Sequence, residues 1–600
     1  MDPQQTASES TVTSGPGRRV VVIGGGPAGL TAAYELARLG IQPVVIEKQN
    51  KVGGISRTED YKGYHFDMGG HRFFTKVPEV NRMWCEVLGP DLLRRPRLSR
   101  IYYRKRYINY PLRPLNVIQQ LGFVDGALIV LSYLRWQLFP SPREETFAQW
   151  VTNRFGQRLF ERFFKTYTEK VWGISTDQLS AEWAVQRIKN LSLGSAITSM
   201  FVKPQEKITS LIEEFDYPRR GPGMMWETVR AEIERQGGRM LLNAEVVKIC
   251  RSGNRVTGVV IARDGQEEFI EGTDFISSMA VNELVERMER PPVAVLEAAQ
   301  ELHHRDFLTV CLIVDKPDLF PDNWIYIHDP DVKVGRVQNF KNWSPEMVPD
   351  PSKSSLGLEY FCNEGDELWN TPDAELVELA KRELALMGLA HSEDVTDGCV
   401  FRVEKAYPVY DNDYREHLSH IRGFIESLDN LMTIGRNGLH RYDNQDHAML
   451  TGMLAARNLV YGESHDLWRV NTEDEYQEES RATETQEILY DALSRVFAKI
   501  DPVALGTAVG LVGSLTLFLA TLIIVFRGNP TLWPGLGLLS NFFPLYDVTP
   551  VGSLLGLVYG FASGFLVGWG FASIRNLSVL LSMAAIDRDA MIRTLWRALY

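Results

Sequence analysis

Two stretches near the end of the chain carry no charge. Val503 to Phe526 runs 24 residues between Asp501 and Arg527, and Thr549 to Ile574 runs 26 between Asp547 and Arg575. A bilayer core of roughly 30 Å is crossed by about 20 helical residues, so each stretch predicts a spanning helix. Glycines in both (Gly506, Gly510, Gly513; Gly552, Gly556, Gly560, Gly564) suit close helix contact in lipid. Upstream the pattern breaks into short apolar runs. Arg19 to Ile23 (RVVVI) predicts a buried parallel strand, LTAAYELARLG a helix ending at Gly40, and PVVIE a second strand ending at Glu47. The segment from Gly223 reads as helix then strand, FISSMA as a strand meeting a small-residue turn, and FGQRLFERFFKTYTEKVWG as an amphipathic helix. Leu121 to Leu138 is apolar but interrupted by Asp125 and Arg135, which predicts a buried or interfacial helix rather than a third span.

Basic residues orient the two spans. Arg495 and Lys499 precede the first, and Arg575, Arg588, Arg593 and Arg597 follow the second, whereas the connecting loop has Arg527 alone. Both flanks and the N-terminal body are therefore expected in the cytoplasm, making this an integral membrane protein with two C-terminal spans. The loop's Pro530, Pro534 and Pro544 with Trp533, Phe542, Phe543 and Tyr546 suit an interfacial turn. The first 17 residues have no apolar core of the kind a cleavable signal needs, and read as a flexible tail.

Composition adds exclusions. In 600 residues, 44% apolar and 23% charged content is that of a folded multidomain protein. The net charge of −12 lacks the cationic surplus of a general nucleic-acid binder. Five scattered cysteines without a CxxC pair argue against a disulfide framework or a Cys-rich metal site, and no metal is expected. The basic run Arg94 to Arg106 reads as a solvated or membrane-surface face.

The chemistry begins at the first strand, which runs into Gly24-Gly25-Gly26-Pro27-Ala28-Gly29. Gly24, Gly26 and Gly29 satisfy GxGxxG: a tight turn, an open backbone for a pyrophosphate, and close helix–strand packing, with the helix N-terminus facing phosphate. Glu47, 18 residues after Gly29, is placed to accept ribose hydroxyls, and an acid there disfavours a 2′-phosphate.

A second glycine turn, Lys51-Val52-Gly53-Gly54-Ile55-Ser56-Arg57-Thr58, resembles the GG motif of the amine oxidase-like FAD superfamily, where it lies along the cofactor's diphosphate. The later segments Gly223 to Ser278 and Thr433-Ile434-Gly435-Arg436 fit the separated pieces from which such proteins build one cofactor domain. The resemblance implies FAD, held by Gly24, Gly26, Pro27, Ala28, Gly29, Glu47, Lys48, Gly53, Gly54, Arg57, Gly69, Gly70, Val246, Gly435 and Arg436.

Further pieces resemble UDP-galactopyranose mutase, of the same superfamily: Asp67 to Phe74 (DMGGHRFF), Tyr107 to Leu112, Tyr167 to Gly173 (YTEKVWG), Val334 to Val337, Ala406 to Tyr410, and Gly435-Arg436 with Tyr442-Asp443. The resemblance spans about residues 18–460 and implies His71, Arg336 and Tyr407 at the reacting centre, with Tyr167, Trp172, Arg336, Tyr407 and Tyr410 on the substrate. Arg219 and Arg220 are candidates for that family's loop arginine, and the divergent stretch 190–222 stands where its closing loop lies. Packing alone would also explain Tyr167, Trp172 and His71.

The expected fold is α/β: a Rossmann-like FAD domain of the GR2 type (18–90, 215–290 and 425–465) interleaved with a helical and antiparallel-sheet substrate domain (91–214 and 291–424). A tail (1–17), a linker (466–502), a transmembrane hairpin (503–574) and a cytoplasmic amphipathic tail (575–600) complete the chain. The resemblance implies an enzyme interconverting ring forms of a sugar nucleotide through reduced flavin N5, for polysaccharide precursors. The alternative is an FAD-dependent oxidoreductase of the amine oxidase, protoporphyrinogen oxidase or desaturase type acting on a lipophilic substrate, and a third is a flavin-bearing scaffold. The hairpin implies contact with membrane lipid.

Overall fold

A computed structural model of the chain describes residues 17–110, 114–183, 214–411, 413–471, 501–527 and 534–599. Two compact units divide it, residues 1–480 and 481–600.

In the first unit, β-branched runs form a five-stranded parallel sheet in the order Leu431–Thr433, Asp274–Ser277, Val20–Ile23, Val44–Ile46, Arg239–Leu241. The run at Val20–Ile23 is apolar throughout because it lies at the centre and is buried on both faces. The helix Pro27–Arg38 follows with proline in its first turn, where no backbone donor is lost. It packs against the long helix Gln445–Tyr461 at Gly452, whose hydrogen faces the carbonyl of Ala28; a methyl there would run into that oxygen. Three distant pieces of sequence thus meet in one sheet, with their carboxyl ends along one edge.

A seven-stranded sheet stands beside it in the order Val395–Pro408, His304–Val314, Ser354–Cys362, Arg336–Asn339, Trp324–Ile327, Ser99–Tyr103, Arg106–Tyr110. Within that sheet only the pairing of Trp324–Ile327 with Ser99–Tyr103 is parallel. A three-stranded antiparallel sheet (Glu245–Ser252, Arg255–Arg263, Gln266–Glu271), the hairpin Thr58–Tyr61 with Tyr64–Asp67, and the antiparallel pair of Leu92–Pro96 with the distant Glu214–Pro218 complete the described strands.

The amphipathic stretch from Phe155 is not one regular helix. A turn of α-helix (Gln157–Leu159) opens into a π-helical stretch (Phe160–Lys165) before α-geometry resumes over Thr166–Trp172. The wider turn buries both Phe160 and Phe163, and it rotates every later side chain relative to the expected helical face. Of the stretch Leu121 to Leu138, Leu121 closes a preceding helix, Pro114–Leu121, and after Gly122 a second helix runs over Phe123–Leu138. Most of the stretch 190–222, and most of the linker, lie outside the described residues.

The second unit is built on two antiparallel helices, Pro502–Arg527 and Pro550–Leu599. Over Pro502–Arg527 and Pro550–Asn576 they are long and apolar enough to cross a membrane, with mean hydropathies of 2.5 and 1.7. Gly506, Gly510 and Gly513 face Phe565, Phe561 and Gly560, so the backbones touch where side chains are smallest. The second helix continues without a break past the expected end of the span.

Candidate functional site

The carboxyl ends of the parallel strands open into a cavity of about 910 Å³. At one end it is lined by Ala244, Glu245 and Val246, and at the other by Met68, Phe307, Tyr326, Arg336 and Tyr407. The two glycine turns meet between these ends. Gly53 and Gly54 adopt φ of +105° and +56°, the left-handed region that glycine enters without strain. A methyl on Gly54 would lie 3.2 Å from the Cα of Gly26. The paired turns therefore leave a backbone-walled trough.

Glu47 is buried at the end of its strand and accepts from the Gly25 N–H (2.7 Å) and the Gln49 N–H (2.8 Å). Burial raises its pKa, and these two donors pull the other way. Lys48 pairs with Glu404, and Arg57 donates to Glu59 and to the Gly54 carbonyl, so both cations are fixed at the trough's rim.

At the inner end Arg436 donates to the carbonyls of Asp443 and Ala406 while lying over the rings of Tyr442 (4.7 Å) and Tyr407 (5.6 Å). Those two rings stack with centroids 5.5 Å apart and planes 10° from parallel. Burial raises the pKa of Tyr407, which keeps its phenol protonated. His71 hydrogen-bonds the Met68 carbonyl through Nε2 (2.7 Å) and meets the Ser56 hydroxyl at Nδ1 (3.4 Å). Burial, with Arg436 and Arg336 nearby, lowers its pKa to about 4, so the imidazole is neutral at physiological pH. Arg336 Nε and Nη2 both donate to Glu359, whose other oxygen accepts from Gln338.

Of the cofactor-side residues expected from sequence, Gly24, Gly26, Pro27, Ala28, Glu47, Lys48, Gly54, Arg57, Gly69, Gly70, Val246, Gly435 and Arg436 line this cavity, as do His71, Arg336 and Tyr407. Gly29 and Gly53 sit behind it. Gly29 lies against the Gly24 carbonyl, and Gly53 lies beside Trp226 and Arg57. Three residues expected on the substrate, Trp172, Tyr410 and Tyr167, do not line this cavity. Trp172 is buried behind Tyr407, its ring against Trp183, Tyr407, Tyr410 and Tyr442. Tyr410 is buried too; its hydroxyl accepts from the Tyr442 N–H (2.6 Å), and its ring stacks on Tyr414. Tyr167 stands one layer back, stacked on His328 and edge-on to Tyr326. Arg219 is held by Asp91 and Glu346. Sequence reasoning missed Glu359, Gln338 and Tyr326. A signal for the first existed: Glu359 is the sole charged residue in the otherwise uncharged run SSLGLEYFC, a strand buried along its length.

The arrangement fits a flavin dinucleotide. The trough would be filled by side chains if Gly26 and Gly54 carried them, and Glu47 retains acceptor capacity. Asn437 Oδ1 and Gln445 Oε1, buried on the cavity lining, have no partner among the described residues. Fold and site together are those of a dinucleotide-binding protein of the α/β class.

Comparison narrows that class. Residues 27–459 match the model of the flavin containing amine oxidoreductases, and the chain belongs to this family. Among curated relatives it is 27% identical over 197 residues to protoporphyrinogen oxidase 2 of Arabidopsis thaliana, covering 30% of this chain and 38% of that one. To 15-cis-phytoene desaturase of Synechococcus elongatus it is 24% identical over 304 residues, covering 44% and 58%. The chain thus spans 38% and 58% of these relatives' lengths, less than two thirds of either. Among solved structures, reduced UDP-galactopyranose mutase superposes with a TM-score of 0.67 at 21% identity, covering 76% of this chain and 100% of that one. A fatty acid isomerase from P. acnes superposes at 0.51 and 14% identity, covering 75% and 100%. Both share the fold. Family membership supports FAD as the cofactor.

Proposed function

We propose that this chain is an FAD-dependent oxidoreductase acting on an organic substrate that enters the inner chamber with its reacting part uncharged. The observation that carries this reading is the ion pair of Arg336 with Glu359. The Arg336 guanidinium on the cavity lining is already balanced by a fully buried carboxylate, so an anionic substrate would have to compete with Glu359 for it. Met68, Phe307, Tyr326 and Tyr407 give the lining an aromatic and apolar part, beside His71 and Arg436.

FAD supplies two-electron redox chemistry when bound. The chain's own residues hold and orient. Gly24, Gly26, Gly54 and the N-terminus of Pro27–Arg38 receive the diphosphate, Glu47 the ribose, and Val246 the adenine side. Gly69, Gly70, Gly435 and Arg436 would hold the flavin end, and the Arg436 cation there would favour negative charge on the bound group. Tyr407 keeps its proton and serves as a hydrogen-bond donor, not a base. His71, neutral and tied to Met68, fixes the Gly69-Gly70 backbone. In this reading the cofactor domain comprises 18–90, 215–290 and 425–465. The two C-terminal helices cross a bilayer with the body on the cytoplasmic side, as the basic flanks favour, which gives the protein access to lipophilic substrates.

A second reading, isomerisation of a sugar nucleotide, is favoured by one observation. Arg336, Tyr407 and Tyr167, which the mutase resemblance puts on the substrate, lie close enough to influence one another's ionisation. One experiment separates the two. Detergent-purified protein with bound flavin is mixed anaerobically with lipophilic amines and with phytoene, and in parallel, after chemical reduction, with UDP-galactofuranose. Bleaching of the flavin by an amine or by phytoene is the expected result. Conversion of UDP-galactofuranose to UDP-galactopyranose by the reduced protein, with no bleaching by the others, would overturn it.

A further inference from the structure

The helix Phe123–Leu138 buries one side and leaves the other bare. Inward, Ile129 is buried, and Tyr133 packs so closely on Gly156 that a methyl there would lie 2.7 Å from the Tyr133 nitrogen. Asp125 is turned to the same side, where Arg162 (2.7 Å) and Arg158 (3.7 Å) neutralise it. Outward, Val124, Ala127, Leu131, Leu134 and Leu138 succeed one another at spacings of three and four and form one stripe. Val124 is 72% exposed, Leu131 61%, Leu138 73%, and the following Phe139 73%. Nothing among the described residues covers this stripe. Its charge setting is as one-sided as its polarity. From Leu92 to Arg143 the sequence holds ten arginines and lysines against one acid, Asp125, within a chain of net charge −12. Arg104, Lys105 and Arg106, at the tip of the hairpin leading into this region, and Arg135 and Arg143, at and beyond the helix end, are all exposed.

We propose that Phe123–Phe139 is a lipid-docking face by which the catalytic body lies against the surface of an anionic bilayer, a contact separate from the C-terminal helices. An apolar stripe flanked by cations, with an aromatic residue at its end, matches the hydrocarbon boundary and the anionic headgroups above it. A face turned only to water would gain nothing from the leucines. The same chain carries two helices fit to cross a membrane, so its body works within reach of a bilayer in the reading proposed above. The docking does not depend on the chemistry assigned to the chamber. It has a route to it, since Asp125 on this helix holds Arg162 in the stretch that continues into Thr166–Trp172.

The test uses the full chain in nanodiscs of phosphatidylcholine with phosphatidylglycerol, with Cys85, Cys250 and Cys399 changed to serine. An environment-sensitive fluorophore is placed by L134C, by L386C (Leu386 is exposed elsewhere on the body) or by L515C on the first apolar helix. Doxyl-labelled lipid is expected to quench the label at 134 roughly threefold more than the label at 386, and less so without phosphatidylglycerol. The pair L131E/L134E, with the label moved to 139, is expected to abolish that quenching while the flavin spectrum is unchanged. Equal quenching at 134 and 386 would overturn the docking face. So would crosslinking of position 134 between two copies, or shielding of 134 from both lipid and water-borne quencher, which would mean a second copy or another part of this chain. The label at 515 reports the hairpin separately: if it alone escapes quenching, the membrane reading of the helices fails while the docking face stands.

Discussion

Arg336 and Glu359 face each other across neighbouring antiparallel strands, and both Nε and Nη2 of the arginine donate to the same carboxylate oxygen. The other oxygen takes the Gln338 amide, so a fully buried anion is satisfied from two sides. Replacing Glu359 with glutamine leaves the guanidinium partly buried without a counter-charge, a loss of about 3 kcal/mol. Thermal unfolding of E359Q is expected several degrees below wild type. The variant also frees Arg336 for an anion. In the oxidoreductase reading, UDP binding measured by calorimetry is undetectable in wild type and appears at most in E359Q, and clear UDP binding by the wild-type protein would shift the balance to a sugar nucleotide.

Gly29 and Gly26 belong to one motif but do different work, and substitution separates them. A methyl on Gly29 runs into the Gly24 carbonyl beneath the helix, whereas one on Gly26 meets only the Cα of Gly54 at 3.7 Å, an ordinary contact. G29A is expected to yield little folded protein. G26A is expected to fold with its melting temperature intact when stripped of flavin, and to retain flavin roughly tenfold less tightly, because the methyl fills the space a pyrophosphate needs. Visible absorbance per mole of purified protein checks both.

In the second unit, Gly560 lies on the Gly513 carbonyl, where a Cβ would come to 2.5 Å, while Gly570 has nothing within 4 Å. G560L is expected to force the helices apart and speed amide hydrogen exchange along Pro502–Arg527 in nanodiscs. G570L is expected to leave exchange unchanged. Flavin content should be normal in both.

Where the sequence was legible, the interactions were local. The glycine turn, Pro27 and Glu47 lie within one strand–helix–strand stretch, so spacing alone announced them, and the two charge-free runs needed only their length. The pairing of Arg336 with Glu359 spans 23 residues and depends on strand register, which no local pattern encodes. Trp172 and Tyr410 lie off the cavity lining for a reason no local pattern carries. An aromatic residue beside a binding motif reads the same whether it faces ligand or core, and both are buried in the packing around Tyr442. Family resemblance names residues by motif, and a motif does not carry the layer each side chain occupies.

Asp67 gives the molecule a measurable pH dependence. It is fully buried one residue before Met68, accepting from the hydroxyls of Tyr217 and Thr58 (2.8 Å from Thr58). Burial raises its pKa from 3.8 to about 7, against the pull of those two donors. A raised acid binds its proton more tightly in the folded state than in the unfolded one. Its contribution to stability is therefore complete below the unfolded value and is lost as pH climbs through the folded one. The span corresponds to something on the order of 4 kcal/mol at full extent. The amide introduced by D67N keeps an acceptor for one hydroxyl and cannot ionise, so this part of the dependence vanishes. The difference in melting temperature, wild type minus D67N, is expected to grow as pH falls from about 7 to about 5. Every other titrating group contributes equally to both proteins, so a difference that stays flat over that window would mean that Asp67 is ionised in the folded state and that the two hydroxyls outweigh burial.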